Sequence, residues 1–455
     1  MTAPMPVTAC TIAAAVRAGM DAHAPAEAAL ARVAQLNPEL NALCHVMADT
    51  RAQAATVAAR LAAGDVLPLA GVPVVIKDNI WVQGAPVTQG SRLFAGFAPP
   101  RDARAVARLR QAGAVILGIG TCSEFACKGV TATPLHGVTR HPADPALTPG
   151  GSSGGPAVAV AAGMVPLALG TDAGGSSRRP PAHVGIVGLK PTQDAIPYGP
   201  GFDEPFFGIS VLAPMAADVA DTALMFEVLV DEPLPGARPP GTLRIAHAPT
   251  MGLPLPLDPG VAAAMEAAVE ALRAAGLTVT VASPDWPPGA DPAGVMPIQA
   301  AGLAQLYGAR WRAEPGLFDP DIGAQIEAGL RLSGAEVARA LAASAAMRAA
   351  LRGFLRGFDL ILTPASSALA WPADRLGPAT IGGAPAAPRD HAAFTPQFNH
   401  AGLPAISIPC GAPGGLPAGL QIGAGPGQDR TVLAAAARFE QILHQAGLWP
   451  ARPGA

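Results

Sequence analysis

Lysine is nearly absent from this chain. Of 30 Lys plus Arg residues only three are lysine, Lys77, Lys128 and Lys190. Where arginine serves for almost every cation, a retained lysine points to work that guanidinium cannot do. One such task is to lose a proton after desolvation. All three lysines fall between residues 77 and 190, which weakens chance as their explanation. Charge of either sign is scarce too, at 14% of residues with a formal net charge of -3 and no block of like charges. That removes the electrostatic case for nucleic acid or an anionic membrane surface as partner. The five cysteines, Cys10, Cys44, Cys122, Cys127 and Cys410, are odd in number and contain no C-x-x-C pair, against both a disulfide framework and a thiolate zinc site. The nine histidines include no H-E-x-x-H, so no metal and no cofactor are expected. The start "MTAPMPVTAC" lacks the basic and apolar stretches of a signal peptide, and the longest apolar run, "AVAVAAGMVPLAL", is too short and too Pro-interrupted to span a bilayer. A cytoplasmic protein without a membrane segment is predicted.

What is present is core-forming material. Half of the 455 residues are hydrophobic, enough for a large globular core. Residues 11 to 64 read as helices. "GVPVVIKDN" and "AVILGIG" read as strands separated by the helical "DARAVARLRQAG", and "TLRIAHA", "LTVTVA", "DLILTP" and "LPAISIP" read as further strands. Residues 258 to 275 form an amphipathic helix between Asp258 and Gly276, residues 320 to 356 are helical, and "DRTVLAAAARFEQILHQAG" closes the chain as helix. Strands alternating with helices predict an α/β fold, and fully apolar strands predict a sheet covered on both faces. The Pro/Gly-rich stretches at 197 to 208 and 283 to 298 read as surface loops. One compact unit over residues 1–455 is expected, with a helical segment over about 1–65, a core over about 71–215, and the remaining sheet and variable loops over about 216–455.

Three local features carry chemistry: Lys77 at the end of its strand, "TPGGSSGGPA" over 148–157, and "GTDAGGS" over 170–176. Pro156 fits the first turn of a helix whose start would aim free N–H groups and a positive dipole end at the serines. Gly174 and Gly175 let consecutive N–H groups point into one concavity, a nest for an oxyanion beside Ser176. Other readings compete. No G-x-x-x-x-G-K-[ST] phosphate loop occurs. Gly151 to Gly155 fits G-x-S-x-G with Ser153 as nucleophile, but that elbow needs a strand directly before it and "HPADPALTP" is not one. The spacing leaves open a Ser-His-Asp hydrolase using His183 or His136, although neither lies in a glycine-framed loop. The glycines could also serve only as tight turns.

The segment from 71 to 215 resembles the amidase signature family of serine hydrolases through "GVPVVIKDNI", "GSRLF", "AVARLRQAGAVILGIGTCSEFA", "GGSSGGPAVAVAAGMVPLALGTDAGGSSRRPPAHVGIVGLKPT" and "LAPMAADVADTALM". Weaker echoes lie in "LNPELNALC", "FDLILTPA", "FNHAGLPAISIPCG" and "GLPAGLQIG". The resemblance implies an α/β/α sandwich around a large mixed twisted β-sheet. It also implies a Ser, cis-Ser, Lys triad carried by Ser176, Ser152 and Lys77, with a cis Gly151–Ser152 peptide. On this reading, N–H groups of Ala173, Gly174, Gly175 and Ser176 form the oxyanion hole, and Asp172 and Arg178 position the nucleophile loop. Ser153 would be a hydrogen-bonding partner in the relay, Lys190 belongs to a structural motif, and Lys128 has no family role and is expected to be a solvated surface cation. Phe125, Ala126, Cys127, Phe202, Phe206 and Phe207 are the substrate-pocket candidates.

The implied activity is cleavage of the C–N bond of a small neutral or hydrophobic amide. Esters and carbamates are further candidates, because some members are urethanases. The expected partner is a small-molecule substrate, with the chain a monomer or homodimer. Two rivals stand beside this: the glutaminase subunit of a tRNA-dependent amidotransferase, and a catalytically silent binding protein on the same fold. The chain departs from the family's habit at Ser177, usually aliphatic, at Pro181, at Gln193-Asp194-Ala195 and at Cys122, where asparagine is favoured. These changes flank the catalytic loop and bear on substrate shape.

Overall fold

The computed structural model describes residues 8–231 and 233–451; the first seven residues of the N-terminal stretch and the last four of the chain lie outside the described residues. Eleven strands join one sheet: β1 Leu43–Val46, β2 Pro73–Lys77, β3 Val115–Gly120, β4 Leu167–Asp172, β5 Val187–Lys190, β6 Val211–Ala216, β7 Ile245–His247, β8 Val279–Val281, β9 Leu360–Pro364, β10 Ala405–Pro409 and β11 Gly419–Ala424. Their order across the sheet is β1-β3-β2-β4-β6-β5-β10-β11-β9-β7-β8. Parallel pairs β3-β2-β4 and β9-β7-β8 flank an antiparallel centre, so the sheet is mixed. Every residue of β2, β3 and β4 is buried. Helices cover both faces of strands that bury both sides, which is why the alternation of half-exposed strands is missing from the sequence.

The expected strands are all present, and β1, β4, β5, β6 and β11 complete the sheet, β1 interrupting the stretch 11 to 64 expected to be helical throughout. The amphipathic helix runs Pro259–Ala274, with Asp258 Oδ1 accepting from Gly260 N at 2.8 Å as its N-cap. The single helix expected over 320 to 356 is two, Pro320–Arg331 and Gly334–Phe354. The break falls at Ser333, whose side chain and that of Glu336 cap each other's backbone and start a fresh helix. The stretch 283 to 298 is a loop only in its first half. Pro292 opens a helix that runs to Ala313, capped by Asp291, because a proline at the first helical turn gives up an N–H that has no helical partner anyway.

Two features of this frame make the site. Strands β2 and β4 are parallel neighbours, paired from Val74 with Leu167 to Ile76 with Leu169, so both carboxyl ends open on one edge. Clefts form beyond such strand ends in α/β sheets. Lys77 ends β2, Thr171 and Asp172 end β4, and the nucleophile loop follows directly.

Candidate active site

Lys77 is fully buried with no carboxylate partner among the described residues. Its Nζ lies 2.8 Å from Ser152 Oγ, 2.8 Å from Thr171 Oγ1 and 3.4 Å from Thr171 O. Asn79 Nδ2 in turn donates to Thr171 Oγ1 at 3.0 Å. Burial pushes the Lys77 pKa down to about 8 against the opposing fields of Cys122 and Asp172. An amine so placed is an ammonium that gives up its proton near neutrality, and its lone pair then faces the Ser152 hydroxyl. Sequence reasoning misses Thr171 and Asn79, because a threonine or asparagine at a strand end carries no local mark of such a contact.

The Gly151–Ser152 peptide is cis, as the family resemblance implies. The helix beyond it spans Gly154–Ala161, but its first N–H groups are not free to serve the serines. Gly154 N donates to Thr131 Oγ1 at 2.9 Å and Gly155 N to Thr121 O at 3.2 Å. A buried helix start needs such partners, since water cannot reach it. A Cβ on Gly155 would collide with Thr121 Oγ1 and Ala42 O, which accounts for glycine there. Ser153 turns away from Lys77: its Oγ donates to Thr171 O at 3.2 Å and lies 3.1 Å from Ser177 Oγ. The expected place for Ser153 in the relay is therefore corrected to a brace beneath it. The hydroxyl of Ser177, where an aliphatic residue is usual, belongs to the same brace and reaches Thr171 O at 3.1 Å.

Asp172 and Arg178 have no exposed surface and hold the nucleophile loop from below. Arg178 Nη2 donates to Asp172 Oδ1 at 2.8 Å and its Nε to Oδ2 at 3.0 Å. Arg178 also donates to Thr395 O, Gln421 Oε1 and Asn399 Oδ1 at 2.9, 2.6 and 2.6 Å. Asp172 receives Asn399 Nδ2 at 2.9 Å, Gly175 N at 2.7 Å and Ser177 N at 3.2 Å. Burial alone would raise the Asp172 pKa, but the Arg178 charge and these donors outweigh it and hold the carboxyl well below the usual range. One consequence corrects the expected oxyanion hole. The Gly175 N–H is spent on Asp172, while Ala173, Gly174 and Ser176 donate their N–H groups to no protein acceptor among the described residues. Gly175 itself has φ +108, and a Cβ there would strike Thr395 Oγ1.

Ser152, Thr171, Ala173 and Ser176 line one narrow cleft with Asn79, Gln89, Phe125, Ala126, Phe202 and Phe206. Phe125 and Ala126 hold φ of +51 and +61, two successive left-handed residues at the rim. Of the six pocket candidates, Phe125, Ala126, Phe202 and Phe206 face the cleft. Cys127 is buried behind it with Sγ 3.3 Å from Phe125 O, and Phe207 points outward at 58% exposure, the residue before it having taken the inward direction. Glu204 lines the same cleft, pinned by Phe206 N at 2.9 Å and Ser210 Oγ at 3.2 Å.

A second cavity of about 350 Å³ opens from Ala126, Ala173, Gly174, Ser176 and Phe206 toward the helix Pro292–Ala313. Lys128 lies in its wall, 8% exposed, with Nζ 2.5 Å from Asp319 Oδ2 and 3.4 Å from Asp321 Oδ2. The solvated surface cation expected there is corrected to a buried ion pair, reaching 191 positions along the chain to find its partner. Lys190 is also buried, with Nζ donating to Pro191 O at 2.7 Å. The histidine alternatives do not assemble. His136 bonds Thr88 Oγ1 at 2.9 Å and lies 3.3 Å from Asp78, and the ring nitrogens of His183 are buried without a hydrogen-bond partner among the described residues. Neither bonds Ser176. Cys44, Asp78 and His136 come close together, and Asp78 also receives Thr88 N, Thr88 Oγ1 and Gly90 N. No helix among the described residues is long and apolar enough to cross a membrane.

A glutamyl-tRNA(Gln) amidotransferase chain of Symbiobacterium thermophilum is 36% identical, over 92% of this chain and 92% of its own length. The putative amidase AmiB2 of Mycobacterium tuberculosis is 36% identical over 91% of each. The structure of a 6-aminohexanoate cyclic dimer hydrolase superposes with a TM-score of 0.86 at 27% identity, covering 99% of both chains. The amidase family model matches residues 25–433. With Lys77 bonded to Ser152, and Ser152 and Ser176 lining one cleft, the chain belongs to the amidase signature family of hydrolases.

Proposed function

We propose that this protein hydrolyses small amides through an acyl-enzyme on Ser176, working as a single catalytic unit. The observation that carries the reading is the buried Lys77 amine 2.8 Å from Ser152 Oγ, with a pKa brought down to about 8 by burial. A serine hydroxyl is a weak nucleophile and must hand over its proton as it attacks. Ser176 Oγ adds to the amide carbon and its proton passes to Ser152, whose own proton passes to neutral Lys77. The carbonyl oxygen, now an oxyanion, lies against the free N–H groups of Ala173, Gly174 and Ser176, each worth about 3 kcal/mol by the usual cost of losing one such donor. The relay then runs backward and protonates the departing nitrogen, without which the C–N bond does not break. Water repeats the sequence on the acyl ester and frees Ser176.

The same steps cleave esters and carbamates, which belong to the proposal as secondary substrates. The mostly apolar cavity beside Ser176 supports an acyl or amine portion with a hydrophobic body. Kinship to the amidotransferase chains favours a second reading, release of ammonia from glutamine for a partner. One experiment separates these. The wild type and Ser176→Ala should be assayed on anilides, primary amides, esters, carbamates and glutamine, with fluorophosphonate labelling in parallel. Label on Ser176 and loss of turnover in the variant support the reading. Equal activity of the two proteins overturns it, and unlabelled, folded protein indicates a silent binding module. Glutaminase activity that appears only with a co-purified partner favours the amidotransferase.

A further inference from the structure

The second cavity holds charge that the proposed hydrolysis does not use. Its walls are largely apolar, with Leu253, Leu255, Val295, Met296 and Ile298 among them, and its volume of about 350 Å³ suits a small ligand. Two guanidiniums interrupt this lining, those of Arg179 and Arg389. Neither has a carboxylate partner among the described residues. Arg179, 5% exposed, donates to Gly175 O and Gly151 O at 3.4 Å each and to His391 Nδ1 at 3.1 Å. Arg389, partly buried, donates to Cys127 O at 2.5 Å and to Gln299 Oε1 and Gln325 Oε1 at 3.3 Å each. Every one of these acceptors is neutral, and burial keeps His391 from acting otherwise by holding its pKa well below the usual histidine value. Burial and the Arg389 charge together bring the Arg179 pKa down to about 9.

The cavity wall also carries Lys128 and two carboxylates, Asp291 and Asp390. Lys128 is paired with Asp319 and Asp321. Asp291 caps its helix by accepting from Gly294 N at 2.8 Å, and Asp390 accepts from Ala387 N at 2.7 Å. Buried cations are ordinarily paired, because a desolvated charge without a counter-charge is costly. Two facing one cavity raise that cost, and a ligand carrying negative charge relieves both. A guanidinium fork matches a carboxylate in a way that a point charge does not. The narrow cleft that shares Ser176 is lined by Asp203 and Glu204 and by no lysine or arginine among the described residues, so the guanidiniums available to an anion lie on the cavity side.

We propose that the cavity binds an anionic end of the substrate, a carboxylate held by Arg179 and Arg389, with an apolar spacer between it and the amide at Ser176. This rests on the reading of Ser176 as nucleophile and replaces the expected neutral substrate by one that is apolar in its middle and charged at its end. Two matched series test it. Monoamides of linear dicarboxylic acids are compared with alkanamides of equal length, and N-acyl amino acids with N-acyl alkylamines, which place the carboxylate on the acyl and amine sides respectively. In one series kcat/KM should favour the carboxylate by about tenfold or more, as charge-assisted hydrogen bonds would give, mainly through KM. Arg389→Met should bring that ratio toward one, and Arg389→Lys should keep part of it. A wild type that labels at Ser176 yet prefers the neutral member of both series overturns the carboxylate site and leaves the nucleophile standing. So does an unchanged ratio in folded Arg389→Met. Absence of labelling and of turnover in both series removes the nucleophile, and the inference with it.

Discussion

Raising the pH through about 8 should switch this enzyme on, because only the neutral form of Lys77 can take a proton from Ser152. With its pKa at about 8, the buried amine is neutral in about one molecule in ten at pH 7 and in nearly all by pH 9.5, so kcat/KM should climb about tenfold and then level off. Were the amine solvated, with the ordinary value of 10.5, the climb would continue at about tenfold per unit to pH 10. Its rate at pH 7 would also be lower by roughly 300-fold, the ratio of the two neutral fractions. The assay is kcat/KM for an uncharged amide between pH 5.5 and 10.5, with the rate of fluorophosphonate labelling of Ser176 followed alongside. Labelling is insensitive to the leaving amine, so both curves should bend at the same pH. A profile already level by pH 6.5, or one still rising at 10.5, would refute the assignment of the base or of burial as the cause of its shift.

The same shift has a signature in stability. The folded-state pKa of Lys77 lies below its unfolded value of 10.5, so the unfolded chain binds the extra proton and stability rises as pH goes from about 8 to 10.5. Lys77→Met should therefore be inactive yet gain up to about 3 kcal/mol over the wild type below pH 8, the gain fading toward pH 10.5 in denaturant melts. Arg178→Met leaves the Asp172 carboxylate buried without its charge partner and should cost about 3–5 kcal/mol, seen as a lower midpoint of urea unfolding. Thr171→Val removes a hydroxyl that accepts from Lys77 Nζ at 2.8 Å. Loss of that acceptor disfavours the charged amine, so the bend of the pH profile should move below 8 while kcat falls about tenfold through looser placement of Nζ. A fall in kcat with an unmoved bend would mean that Thr171 only packs.

The proposed triad is legible in the sequence because scarcity and local grammar coincide there. A lysine in an arginine-rich chain ends an apolar strand, and the two serines sit in glycine-framed loops. The strands are legible for the same local reason, since runs such as Val115–Gly120 need no partner to announce themselves. What escapes is whatever depends on a partner far along the chain. Asn399 meets Asp172 across 227 positions and Gln421 meets Arg178 across 243, and no periodicity links such pairs. Lys128 reads as a surface cation because burial of a charge is decided by its counter-ion, and Asp319 lies on another element. The charged end proposed for the substrate is hidden in the same way. The family resemblance implies a neutral or hydrophobic amide, but a pocket's selectivity depends on the few charges left without partners. Arg179 and Arg389 are 210 positions apart and become a pair only when folding brings the segment after β9 beside the nucleophile loop.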